Sequence, residues 1–358
     1  MDYIFPVTKT ETPKAKPDMA HLHFGKDFTD HMFIMEYDEG QGWHDGRVVP
    51  YQNISLSPAA AVLHYAQMIF EGMKAYKAAD GSVRLFRPYE NAARINQSAQ
   101  RMCIPEMDED LYVSAVKAVV KTDADWIPEG QGNSLYIRPF IIASEAFVGV
   151  KVAKHYLFII ILSPSGAYYA AEGGGLSTTK IYVEDDLIRA AKGGTGFAKC
   201  GGNYAGGMKA SEKAAAAGCR DVLWLDAKEH KYVEEVGTSN AFFKIDGEVI
   251  TAPLGGTILP GITRKSVIAL LQSWGVPVSE RRLSIDEIYE AAAAGKLEEV
   301  FATGTAAVIS PIGLLSYQGK EISINNNQVG ATAQKLFDTI FGIQTGKLDD
   351  PFGWSMKI

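Results

Sequence analysis

At 358 residues the chain is too long for one ordinary domain and about right for two. With 47% apolar and 22% charged residues it composes like a soluble globular protein, which excludes collagen, coiled-coil and low-complexity readings. There are 35 basic against 42 acidic residues, a formal charge of −7, so the chain carries no electrostatic footprint for nucleic acid.

The three cysteines, Cys103, Cys200 and Cys219, are odd in number and unpaired in spacing, which argues against a disulfide framework and a structural zinc site. The longest apolar run, Tyr156 to Leu162, is seven residues, far below the ~20 that cross a bilayer. The N-terminal MDYIFPVTKTETPKAKPDM has neither the basic start and apolar core of a secretory leader nor the Arg-rich character of a transit peptide, so a cytoplasmic location is expected.

In chain order, FIMEY from Phe33, the turn DEGQGWHDG and GRVVPY predict a hairpin. Ser57 before PAAAVLHYAQMIFEG predicts a helix from Pro58 to Gly72. AYKAADGSVRLF predicts a second hairpin about Asp80-Gly81, and PYENAARINQSAQRM a helix. A further helix is expected over Asp108 to Trp126, then strands over SLYIRPFIIAS and HYLFIIILSPS. SPSGAYYAAEGGGL breaks both periodicities and is the best linker, dividing the chain into residues 1–163, a loop over 164–176 and residues 177–358.

Beyond the linker, KIYVE reads as a strand, and KGGTGFAKCGGNYAGG leads into the helix MKASEKAAAA closed by Gly218. DVLWLDAKEHKYVEEVG is a hairpin that AFFKIDGEVITAP extends, and Ser284 to Glu287 form a capping box. EEVFATGT and VISPIGLLSY are strands, and a helix over Gly330 to Gly342 follows. Hairpins outnumber βαβ units, so the fold class is α+β with two unlike halves.

Lys199 stands in FAKCGGNY, among glycines that let the main chain approach a bulky ligand. A lysine in such a loop is most often a solvated charge, but apolar neighbours favour a desolvated amine able to form a Schiff base. Neither a P-loop nor a GxGxxG spacing is present here, which disfavours nucleotides. Strand alternation in YVEEVG sends Glu234 and Glu235 to opposite faces, and an inward carboxylate needs a partner. Gly261-Ile262-Thr263 opens an amphipathic helix whose first amides suit an anion, and Gly304-Thr305-Ala306-Ala307 is a second tight segment. Arg94 could pair with phosphate, although most such arginines are solvated or pair with a neighbouring glutamate.

Taken together, FGKDFTDHMF, HYAQMIFEGMKAY, SLYIRP, KGGTGFAKCGGNYAG, YVEEVGTSN, ILPGITR and ATGTA resemble the branched-chain amino acid aminotransferases, pyridoxal 5'-phosphate (PLP) enzymes of fold type IV. The resemblance implies a small N-terminal α/β domain, a larger β-rich pseudo-barrel domain, and PLP at the domain interface. Lys199 is then the catalytic lysine that carries PLP, with Tyr204 on the ring's phenolic oxygen, Glu235 on its nitrogen and Thr238 beside it. Arg94, the Ile262 and Thr263 amides and the Thr305 hydroxyl are implied for the phosphate, and the turn Thr305, Ala306, Ala307 for the substrate α-carboxylate. Phe70, Tyr65, Tyr136, Val148, Val150 and Tyr168 match the side-chain pocket, with Arg138 for glutamate's distal carboxylate. Tyr65, Val148 and Val150 match positions that enter the neighbouring subunit's pocket, which implies a homodimer, and the segment from Gly166 to Leu176 matches a lid.

Where some members carry Cys-x-x-Cys this chain has Ala307 and Ser310, so that redox switch is not expected. The implied reaction is reversible transamination of L-leucine, L-isoleucine and L-valine with 2-oxoglutarate, with small molecules as partners and no metal, nucleic acid or membrane. Rivals within the fold are D-amino acid and amine transaminases and aminodeoxychorismate lyase. A non-catalytic anion binder and a metal or thiol redox protein are the rivals outside it.

Overall fold

The computed structural model describes residues 3–358 apart from 20, 131 and 167–174. The chain forms two compact units: Met1–Tyr168 with Ala198–Gly201 and Gly342–Ile358, and Tyr169–Phe197 with Gly202–Phe341.

In the first unit, β1 (His31–Asp38) and β2 (Gly42–Pro50) form the expected hairpin. The predicted helix over 58–72 is cut to α1 (Ala61–Tyr65), which ends at Ala66 in a left-handed conformation. The remaining apolar residues form β3 (Met68–Phe70), because pairing with Phe140 to Ile142 buries Ile69 and Phe70 more completely than one face of a helix could. β4 (Met73–Lys77), β5 (Val83–Phe86) and α2 (Pro88–Met102) follow as expected, while α3 (Glu109–Thr122) ends short of the expected Trp126, Ala124–Trp126 forming a separate 3-10 turn. Asp108 caps α3 through the Leu111 amide at 2.9 Å. β6 (Ser134–Ala143) and β7 (His155–Ser165) complete the run. The sheet order is Ser355–Lys357, β5, β4, β6, β7, β1, β2, with β3 also on β6. Its core joins Phe33, Phe158 and Ile160 of the sheet to Tyr112, Val116 and Val119 of α3.

The second unit starts with β8 (Thr179–Glu184), α4 (Gly201–Ala205), α5 (Met208–Ala216) and β9 (Asp221–Leu225), β8 and β9 being parallel. β10 (Val233–Val236), β11 (Ser239–Ile245), β12 (Glu248–Thr251), α6 (Ile262–Ser273), β13 (Val278–Glu280) and α7 (Ile285–Ala293) follow. β14 (Leu297–Gly304), β15 (Val308–Tyr317), β16 (Lys320–Ser323) and α8 (Ala331–Gln344) complete it. The path β10, β9, β8, β15, β14, β11 closes on itself because β10 also pairs with β11. This is the barrel-like sheet of an α+β fold, and closure removes the edges an open sheet would expose.

Register then decides what gathers at one end of the ring. Glu235 pairs with Asn240 across the β10–β11 turn, Asn240 pairs with Thr303, and Gly304 pairs with Val308. The turns at Gly237-Thr238 and Thr305 to Ala307 therefore stand side by side. Gly237 adopts φ +54°, and a Cβ there would lie 2.0 Å from an Asp221 carboxylate oxygen, so glycine is required.

Ser284 caps α7, its hydroxyl accepting the Glu287 amide at 3.1 Å, as the capping box predicts. Ser284→Ala should lower unfolding free energy by about 1 kcal/mol in urea denaturation, since one helix-end amide loses its partner; an unchanged midpoint contradicts the capping role.

Candidate active site

In the first unit, the backbone at Lys199 is laid along β3. The Phe70 amide donates to the Lys199 carbonyl at 3.0 Å, Ile69 bridges to Cys200, and the Lys199 amide donates to Ser98 Oγ at 2.9 Å. Ala198 and Cys200 are buried on either side, so the main chain is fixed while the Lys199 side chain is half-buried. Its Nζ lies 4.9 Å over the Phe70 ring. The Arg138 guanidinium lies 4.6 Å over the same ring and donates through Nη2 to the Tyr136 hydroxyl at 2.9 Å. Arg138 Nε is buried without a hydrogen-bond partner among the described residues, a donor suited to an incoming oxygen. Gly72 makes room for Tyr136, because a Cβ there would come within 2.3 Å of its hydroxyl.

Beneath this group lies a fully buried ion pair. Arg94 donates through Nε to Glu71 Oε1 at 2.8 Å and through Nη2 to Oε2 at 2.7 Å, and Asn91 adds a bond to Oε2 at 2.7 Å. Burial by itself would raise the Glu71 carboxyl, but the charges of Arg94 and Lys199 and the bonds from Arg94 and Asn91 outweigh it and hold the group below its ordinary value. Of the sequence readings of Arg94, its pairing with a glutamate is what the structure displays.

In the second unit, Glu235 is 1% exposed and forms an ion pair with Arg189. Asn240 Nδ2 donates to Glu235 Oε1 at 2.8 Å and to the Leu259 carbonyl at 2.9 Å. Arg189 Nη2 also donates to the carbonyls of Gly196 at 2.9 Å and Thr257 at 2.8 Å, tying the glycine-rich segment to the carboxylate. A cavity of about 220 Å³ opens on this pair, lined also by Tyr204, Trp224, Thr238 and Leu259. Glu234 lines a different cavity, as strand alternation predicts. The N-terminus of α6 begins at Ile262 after Gly261, with no side-chain cap and no acidic residue in its first turn, so its amides suit an anion. Gly261 approaches Asn240 so closely that a Cβ would meet Asn240 Oδ1 at 2.0 Å.

A model of the class IV amino-transferase family matches residues 68–315. Branched-chain-amino-acid aminotransferase 2 of Bacillus subtilis is 54% identical over 352 residues, 98% of this chain and 96% of that protein. The chain belongs to the branched-chain amino acid aminotransferase family. Among solved structures, the Escherichia coli branched-chain amino acid aminotransferase matches with a TM-score of 0.75 at 28% identity over 90% of this chain and 98% of that one. The T.th. branched-chain amino acid aminotransferase with pyridoxamine 5'-phosphate matches with a TM-score of 0.73 at 28% identity, over 90% of this chain and 97% of that one.

Within this family member, the structure gathers Lys199, Phe70, Tyr136 and Arg138 in one unit, and Tyr204, Glu235 and Thr238 around one cavity in the other. Thr305, Ala306 and Ala307 form the turn between β14 and β15. Tyr65, Val148 and Val150 lie instead on the outer surface, exposed by 40%, 61% and 87%, with the Tyr65 hydroxyl donating to the Val148 carbonyl at 2.8 Å. Tyr168 and most of the expected lid fall outside the described residues. Glu71, Arg189 and Asn240 escaped the sequence reading; the pairing demand of a buried charge was the signal available for each.

Glu71→Ala removes the buried carboxylate that accepts two hydrogen bonds from the buried Arg94 and should cost about 3–5 kcal/mol in urea denaturation at neutral pH. The Glu71 carboxyl is depressed, so its contribution is complete above the ordinary carboxylate range and disappears as pH falls through its folded value. The gap between parent and variant should therefore close only in acid; equal stability at pH 7 contradicts the assignment.

Proposed function

We propose that this chain is a PLP-dependent transaminase that exchanges the amino group of L-leucine, L-isoleucine and L-valine with 2-oxoglutarate, through the roles assigned to its residues below. The observation that carries the reading is the buried Glu235 carboxylate, paired with Arg189 and Asn240 and facing a cavity with Tyr204 and Thr238. A buried carboxylate between two donors is built to meet a protonated ring nitrogen as an anion. PLP, when bound, supplies the electron sink that stabilises the carbanion left when the amino acid loses its Cα proton.

Lys199 Nζ would hold the cofactor at its aldehyde carbon, and its free amine would take the proton from the substrate Cα. Its fixed backbone and half-buried side chain suit a group that must hold and then swing. Glu235 keeps the ring nitrogen protonated, and Tyr204 donates to the phenolic oxygen. Thr238, at the β10–β11 turn, stands beside the ring. Arg94, aimed by Glu71, the Ile262 and Thr263 amides and the Thr305 hydroxyl bind the phosphate, a charge-assisted contact combined with helix-end amides.

The substrate α-carboxylate rests on the turn Thr305, Ala306, Ala307. Phe70 and Tyr136 wall the aliphatic side chain, and Arg138 answers glutamate's second carboxylate. Tyr168 is assigned to the same pocket by resemblance alone. Exposure of Tyr65, Val148 and Val150 beside Leu63 and Phe147 makes an apolar patch of the kind that marks an interface, which supports a homodimer in which these three residues complete the partner's pocket. No helix among the described residues is long and apolar enough to cross a membrane. A cytoplasmic location remains part of this reading.

Addition of L-leucine alone should bleach the yellow holoenzyme, and 2-oxoglutarate should restore the colour, giving ping-pong kinetics. Dominant turnover of D-alanine or an aryl amine in place of L-leucine contradicts the substrate assignment. Glu235→Gln should lower kcat by about 100-fold or more while changing cofactor affinity far less, since it removes charge at the ring but keeps the shape. A loss of PLP binding with kcat per bound cofactor unchanged contradicts the role of Glu235.

A further inference from the structure

The strand that presents Glu235 to one cavity presents Glu234 to another. This second cavity, about 590 Å³, lies wholly within the second unit and belongs to none of the roles above. Glu234 is 8% exposed; its Oε1 accepts the Thr257 hydroxyl at 2.5 Å, and its Oε2 is buried without a hydrogen-bond partner among the described residues. Burial pushes this carboxyl above its ordinary value despite Thr257 and the nearby Arg189 charge. A half-satisfied carboxyl in a cavity wall is costly to keep and calls for a donor from outside the chain.

The other charges around the cavity divide into two groups. Asp226 accepts the amides of Lys228, Glu229, Lys231 and Tyr232, and Arg282 pairs with Glu229 at 2.9 Å while stacking on Tyr232. Those charges are satisfied within the protein. Lys192 and Lys228 are exposed at the lining and form no salt bridge among the described residues. The cavity thus offers one buried acceptor, two uncommitted cations and an apolar wall from Val233, Pro253 and Ile258.

We propose that this cavity is a non-catalytic site for a zwitterionic α-amino acid with an apolar side chain. Its ammonium donates to Glu234 Oε2, its carboxylate faces Lys192 and Lys228, and its side chain lies on the Val233 wall. Occupancy is felt at the cofactor partner through a short chain of contacts. Glu234 accepts from the Thr257 hydroxyl, the Thr257 carbonyl accepts from Arg189 Nη2 at 2.8 Å, and Arg189 pairs with Glu235. A ligand that moves Thr257 therefore moves the cation that holds Glu235.

The test is calorimetric titration of L-leucine into holoenzyme treated with borohydride, so that no turnover occurs. Parent protein should show saturable binding. Glu234→Gln should weaken it about tenfold or more, a loss of one ionic contact, while Phe70→Ala, which alters the other pocket, should leave it unchanged. If Glu234→Gln does not give a native melting transition, the double variant Lys192→Ala/Lys228→Ala should produce the same loss. Absence of saturable binding, or binding sensitive to Phe70 and indifferent to Glu234 and the two lysines, overturns the proposal. Failure of borohydride to reduce the holoenzyme bears instead on the transaminase reading, on which the proposal rests, so the two failures are distinguishable.

Discussion

A carboxylate taken out of water must be met by a cation and hydrogen bonds or it will not stay ionised, and this chain meets that demand once in each unit. Glu71 is clasped by Arg94 and Asn91 in the first unit, and Glu235 by Arg189 and Asn240 in the second. Neither pair is an argument for stability, since well-packed apolar residues could serve as well. Their value is orientation. Each presents a charged group of fixed direction, Arg94 suited to a dianion and Glu235 to a protonated ring.

The barrel-like sheet explains how distant segments serve one end of the second unit. β11 pairs with both β10 and β14, so the turns after each neighbour are brought level, and the Asn240 side chain reaches Glu235, Leu259 and the approach of Gly261 from one position. A shift of one residue in that register would exchange Glu234 for Glu235 at the cavity lined by Tyr204 and Thr238. Strand alternation is thus a functional constraint here, because the two glutamates face two cavities of different composition.

Much of this was legible in the chain itself. Hairpins with Gly/Asp turns, the Ser284 cap and the alternation of YVEEV are local signals, and each appears in the structure where the residues placed it. The helix expected over 58–72 failed because its periodicity was local while the deciding term was not. Met68 to Phe70 gain more from pairing with β6 than from continuing α1. The partners of the key charges were hidden for the same reason. Arg94 lies 23 residues from Glu71, and Arg189 precedes Glu235 by two helices and a strand, so no spacing rule joins them. The segments around Lys199 and Glu235 were readable as a resemblance, and so was a surface position for Tyr65, Val148 and Val150, which are exposed.

Lys199 and Lys74, both in the first unit, are each chemically able to condense with an aldehyde. Lys199 lies over Phe70; Lys74, on β4, is buried and pushed down to about 8 by burial. The most direct measurement is borohydride reduction of the holoenzyme followed by peptide mass mapping. The account predicts a phosphopyridoxyl group on Lys199 in nearly every subunit. A tag on Lys74, or no tag in fully reconstituted protein, would contradict it.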